Sequence, residues 1–217
     1  MEQDQLWQRL GYSVPAQAPV RAQEAFQRAV EVGQRALEPK AVCGIFPIEG
    51  MTPSSVKLSA RVVNKDGSTT RAKGVCFGSR ELATRCRGAE ELAVFIATIG
   101  PRLEEEVEQL FREEPTVALI LDNYGSEAVV ALARRVREAV QEYAASKGYR
   151  VGERYCPGYG DWATREQQRL FSLLDGGQIG VKLGPGSMMR PRKSYAGVLP
   201  LGPEVAEVKV DERCSCG

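Results

Sequence analysis

Apolar residues recur at helical spacing over residues 19–37, where Ala22, Ala25, Phe26, Ala29, Val30, Gly33 and Leu37 form one stripe. That is the pattern of an amphipathic helix, opened by Pro19 and ended by Pro39. Residues 1–12 predict a shorter helix with Leu6, Trp7 and Leu10 on one face, and residues 13–18 a Pro-containing linker. The period then changes. Residues 41–48 read as a buried strand containing Cys43, and residues 56–63 alternate as a half-exposed strand should. The turn Asn64-Lys65-Asp66-Gly67 predicts a hairpin returning over residues 69–77, with Cys76 as a small core residue. Ser79 can cap a short helix ending at Cys86. Residues 92–99 are continuously apolar, as in a central strand covered on both faces.

Gly100-Pro101 opens a helix through Glu114, whose Glu104, Glu105 and Glu106 predict a solvated acidic face. Pro115 opens a longer helix reaching Ser146. Gly125 within it costs about 1 kcal/mol relative to Ala, a cost that close packing or ligand approach would explain. Arg134, Arg135, Arg137 and Glu138 read as a solvated helix face with ion pairs. Residues 150–156 predict a short strand, and Thr164 a helix cap with Gln167 at the capping-box position. Asp175-Gly176-Gly177 turns the chain, and residues 179–183, 194–201 and 204–210 are strand-like. Strands and helices do not alternate regularly, and no G-x-G-x-x-G follows the first strand. The predicted fold is α+β: a bent, mainly antiparallel sheet with flanking helices. The expected division is a helical segment 1–40, a main domain 41–210 and a Cys-containing tail 211–217.

Composition narrows the function. Lys plus Arg is 29 against 28 Asp plus Glu, a balance that argues against a nucleic-acid or anionic-membrane binder. No apolar run is expected to reach the length of a membrane span, and the polar, acidic start MEQDQLWQRL lacks the order of a signal peptide. The expected location is the cytoplasm, where the six cysteines are thiols. Histidine is absent, which removes His-ligated zinc, Ser–His or Cys–His nucleophiles and any imidazole base. Cys214 and Cys216 form a C-x-C pair, but two thiolates need further ligands before they hold a metal, so no metal site is assigned.

The candidate chemistry lies in RYCPGYGDW, residues 154–162, and in GSMMRPRKSYAGVLPLG, residues 186–202, separated by the amphipathic EQQRLFSLL. Pro157, Gly158 and Gly160 impose an irregular backbone with free edges, and Arg154 stands at its mouth, able to grip a carboxylate or phosphate. On the residues alone, Arg154 paired with a structural acid and Tyr159 packed in the core is the simpler reading. The two blocks together resemble the S-adenosylmethionine-binding activation domain of cobalamin-dependent methionine synthase, closest to its stand-alone versions. The first matches the family's Arg-x-x-Pro-Gly-Tyr and the second its Met-x-Pro-x-x-Ser-x-x-Gly.

The resemblance implies that Arg154 grips the ligand carboxylate and that the backbone of Cys156, Pro157, Gly158 and Tyr159 meets its adenine and amino groups. It makes Glu127 the acid for the ligand ammonium, with Asp122 as competitor and a plain surface acid as the alternative. Ser194 and Gly197 complete the ligand set, and no catalytic residue is implied. Trp162, Met188 and Met189 fit either a ligand-facing or a core role. Arg190, Arg192 and Lys193 fit either a contact with corrinoid or electron donor or a solvated loop. The implied activity is reductive methylation, in which S-adenosylmethionine serves a cobalamin carried by a partner methyltransferase, with a flavodoxin- or ferredoxin-like electron donor. The departures are Val198-Leu199 where larger members carry an aromatic pair, and no clear counterpart of their N-terminal acid. A corrinoid-docking or S-adenosylmethionine-sensing module without methyl transfer remains the alternative.

Overall fold

The computed structural model describes residues 3–13, 15–59, 61–63, 69–71 and 74–206. Helices α1 (Gln3–Arg9) and α2 (Val20–Ala36) precede strands β1 (Lys40–Thr52), β2 (Ser55–Leu58), β3 (Arg61–Val63), β4 (Thr69–Arg71) and β5 (Cys76–Gly78). Helix α3 (Arg80–Arg85), strand β6 (Glu91–Thr98) and helices α4 (Arg102–Glu113) and α5 (Pro115–Ser146) follow. Then come β7 (Arg150–Val151), α6 (Gln167–Leu173), β8 (Lys182–Leu183), β9 (Met189–Arg190) and β10 (Ser194–Gly202). The main sheet runs β4-β3-β1-β6-β10-β7, with β2 and β5 branching from β1. Every pairing in it is antiparallel. The fold is the expected α+β.

Every residue of β6 is buried because both faces of the sheet are covered. Leu92, Val94 and Ile96 face a cluster with Phe46, Trp162 and Leu170. Ala93, Phe95 and Ala97 face α5 through Ala133, Val136 and Val140. A third cluster joins α1, α2, α4 and α5, with Trp7 stacked on Phe26 at 4.0 Å. Gly125 is explained by close packing: an added Cβ would lie 2.7 Å from Leu103 on α4. By length and composition α5 could cross a bilayer, contrary to the expectation that no segment would, but here its apolar face packs on the sheet.

Several local expectations differ. Residues 56–63 are not one strand: β1 carries an irregularity between Ile48 and Gly50, so β2 pairs with its outer half while β3 meets Ile45. The return strand splits in the same way into β4 and β5. Cys76 is exposed, not core, because it faces away from the Val56–Phe77 pair. Residues 150–156 form a ladder only at β7, with a single bridge from Tyr155 to Val198. Thr164 does not cap α6; it starts a 3-10 turn, Thr164–Glu166, without a side-chain cap. Residues 179–183 divide between the 3-10 turn Gly176–Ile179 and β8, which pairs with β9 in a separate hairpin. Glu104 is not solvated: it accepts from the Lys193 N–H at 2.8 Å and pairs with Arg192. Arg137 turns inward and donates to the carbonyls of Gly152 (2.6 Å) and Val151 (3.1 Å). The Asn64–Gly67 turn, residues 207–210 of the last predicted strand and the 211–217 tail lie outside the described residues.

Candidate functional site

The RYCPGYGDW segment runs along the outer edge of β10. Tyr155 exchanges backbone hydrogen bonds with Val198 at 3.1 and 2.9 Å. This pairing sends alternate side chains to opposite sides of the sheet. Tyr155 joins the cluster around Trp162, whereas Arg154 and Cys156 meet Tyr195 on the α5 side. The Arg154 guanidinium lies 4.6 Å from the centroid of the Tyr195 ring. That stacking holds a flexible cation in place at the mouth of the turn. The Tyr195 hydroxyl is 3.2 Å from the buried Cys156 sulfur.

Beyond Cys156 the backbone turns sharply. Gly158 and Gly160 have φ of +100° and +51°, conformations that favour glycine. The Gly158 N–H donates to the Trp162 carbonyl at 2.6 Å, and the Trp162 N–H to the Tyr159 carbonyl at 2.9 Å. Pro157 is buried, while Gly158, Tyr159 and Gly160 are exposed, so the turn offers backbone edges to solvent. Tyr159 is therefore not a core residue. Trp162 is fully buried, stacked on Tyr155 and edge-on to Phe77, which makes it core and not a ligand cover.

The far side of the turn rests on α3. The Tyr155 hydroxyl lies 2.8 Å from the Tyr159 carbonyl and 3.0 Å from a Glu81 carboxylate oxygen. Burial, then the Glu81 carboxylate, pushes this phenol up to about 12. The Asp161 carboxylate accepts from the Ser79 hydroxyl and from the N–H groups of Arg80 (2.7 Å) and Glu81 (3.3 Å). The Ser79 hydrogen bond, ahead of burial's opposing effect, holds Asp161 below the usual carboxylate range. A cavity of about 170 Å³ opens here, lined by Glu81, Arg85, Glu153, Arg154, Tyr159 and Gly160 among others.

Of the remaining sequence candidates, Gly197 packs against this turn, while Ser194, Glu127 and Asp122 are held by other partners. Gly197 sits under the turn: a Cβ there would lie 2.7 Å from the Cys156 sulfur and 3.0 Å from the Tyr155 carbonyl. Ser194 bonds Thr98 at 2.9 Å and the Pro191 carbonyl at 2.7 Å, a strand-start role at the head of β10. Glu127 is buried, as a surface acid would not be, and its carboxylate is 2.5 Å from the Arg9 guanidinium. Asp122, its competitor, pairs with Lys193 at 2.9 Å. Met188 is 59% exposed, which sets it apart from a core methionine. Arg190 and Arg192 are exposed beside it.

Three residues were missed from sequence. Tyr195 was hidden inside a quoted motif, though its place one residue after Ser194 marks it for the α5 face. Glu81 and Arg9 gave no local signal, because their roles depend on which helix packs beside them. Among the described residues no group of three His, Cys, Asp or Glu could hold a metal ion. Cys214 and Cys216 lie outside the described residues.

No known protein-family profile matches this chain. No curated protein matches it by sequence either. Among solved structures it is similar to the MetH reactivation domain bound to AdoHcy, with a TM-score of 0.63 and 17% sequence identity. The similarity covers 87% of this chain and 68% of that one. This chain therefore shares the fold of the MetH reactivation domain.

Proposed function

We propose that the chain binds S-adenosylmethionine at residues 154–159 and serves the reductive reactivation of a cobalamin-dependent methyltransferase carried by a partner. The observation that supports this most directly is Arg154, stacked on Tyr195 at the mouth of a turn with exposed backbone edges. The neighbour in the same fold was solved with AdoHcy. The residues fit such a ligand. Arg154 supplies a two-pronged donor for its carboxylate. Between Cys156 and Tyr159 the Gly158 and Tyr159 N–H groups are bonded within the turn, so the Pro157 and Gly158 carbonyls are the edges that would accept from the adenine and amino groups, and Gly197 leaves room for Cys156 beneath them. Glu127 remains the assigned acid, shared with Arg9.

Bound there, S-adenosylmethionine would supply an electrophilic methyl to the partner's corrinoid cobalt once that cobalt is reduced to cobalt(I), with S-adenosylhomocysteine as the leaving group. This chain's residues bind and orient, and no proton has to move, in keeping with a chain that has no histidine. The exposed Met188, Arg190 and Arg192 are the assigned face for the corrinoid protein, and a flavodoxin- or ferredoxin-like donor supplies the electron. The reading places the protein in the cytoplasm. The test mixes the chain with a cob(II)alamin-loaded methyltransferase, a low-potential reductant and methyl-labelled S-adenosylmethionine. Decay of the cobalt(II) absorption band with label on cobalt is expected. Ligand binding without any transfer would instead make this a docking or sensing module.

A further inference from the structure

The turn, with two left-handed glycines, is tied to the ladder at Tyr155 and closed internally by the Gly158-to-Trp162 and Trp162-to-Tyr159 backbone bonds. Its second support is α3. The Asp161 carboxylate takes three donors at the start of that helix: the Ser79 hydroxyl and the N–H groups of Arg80 and Glu81. Ser79 in turn accepts from the Leu82 N–H at 3.0 Å, and Leu82 is fully buried. The helix start is thus fixed to the core and the turn is fixed to the helix start. Glu81 makes a second tie through the Tyr155 hydroxyl, which also reaches the Tyr159 carbonyl. Gly160 brings the chain so near Glu81 that a Cβ there would overlap its carboxylate. A carboxylate suits the Asp161 position because it only accepts, and charge strengthens each bond.

We propose that Asp161 is the positioning residue of the ligand turn: acting through the first turn of α3, it sets where Cys156 to Tyr159 present their backbone to an S-adenosyl ligand. This rests on the reading of that turn as the ligand site. Calorimetry with S-adenosylhomocysteine on the full chain tests it. Asp161→Ala is expected to weaken binding about tenfold, the scale of a lost charged hydrogen bond. Asp161→Asn, which keeps one acceptor oxygen in place, should recover part of that. Lys147→Met removes an ion pair to the buried Glu91, just past the C-terminal end of α5. It should lower the melting temperature and leave affinity unchanged, which a general loosening of the fold would not. If Asp161→Ala fails to fold, Ser79→Ala takes its place, with an expected weakening of about threefold, that of one ordinary hydrogen bond. Unchanged affinity in the folded variant, or an equal loss in Lys147→Met, overturns the proposal while the ligand site stands. No heat with the unaltered chain overturns the ligand site and the proposal together.

Discussion

Residues 154–162 carry the first motif block and residues 186–193 open the second, and the fold treats these two stretches differently. The first block is braced on both sides, by Val198 on β10 and by Ser79, Arg80 and Glu81 at the start of α3. Its one large exposed side chain is Tyr159. The second block turns Met188, Arg190 and Arg192 toward solvent while it is held by pairing with β8, by Gln168 on the buried Ser187, and at Lys193 by Glu104, Asp122 and Ser126. A braced concave turn suits a small ligand whose groups must meet fixed backbone atoms. An exposed basic and thioether surface suits a large partner that is approached and released.

Alkali is expected to break the braced region most. Burial pushes the Cys86 thiol, at the end of α3, from 9.0 up to about 12. Tyr155 rises from 10.0 to about 12. Both groups hold their protons more tightly folded than unfolded. Their contribution is therefore intact below pH 9 and is lost as pH rises toward about 12. For Cys86 the loss is on the order of 4 kcal/mol. Urea titrations at rising pH should show this, and Cys86→Ala should flatten the slope.

Next in size is the ligand grip. Arg154→Ala should weaken S-adenosylhomocysteine binding by about 1.5–3 kcal/mol, the value of a charged hydrogen bond. Arg154→Lys should recover only part of it, since an ammonium cannot form the fork. Gly197→Ala tests the floor of the turn. Its added methyl meets the Cys156 sulfur and the Tyr155 carbonyl, and overpacking of this kind costs about 1–3 kcal/mol. A larger side chain at Gly197 would disrupt the turn itself and so cannot serve as a simple shield against a partner. The smallest effect on the isolated chain is expected from Met188→Glu with Arg190→Glu. Stability should stay within about 0.5 kcal/mol, as for most surface changes. Ligand affinity should be unchanged while methyl transfer to the partner slows.

Much of the frame was legible because period and punctuation agreed. The continuous apolar run at 92–99 announced a doubly covered strand, and Pro115 marked the start of α5. The β1 region was harder. Alternation over 56–63 is the same whether the residues form one strand or two, and the irregularity near Gly50 that divides their partners has no sequence period. In the site, Arg154 and the glycine turn stood out because Pro and Gly restrict the backbone locally. Glu81, Arg9 and the inward Arg137 did not, since a charge on a helix looks solvated until another element arrives beside it.

The helix α5 also acts as a ruler. It is 32 residues long, roughly 48 Å at 1.5 Å per residue. Three polar attachments are spaced along it: Asp122 and Ser126 to Lys193, Arg137 to the Val151 and Gly152 carbonyls, and Tyr143 with Lys147 to Glu91. Each attachment requires its side chain to point at the sheet, so all three share one angular phase. Inserting a single residue between Ser126 and Arg137 would advance that phase by about 100°. One end could then stay docked only if the other let go. Length variation in this protein is therefore expected to be tolerated in loops and not between the attachments of α5, where even a whole turn would move them about 5.4 Å apart.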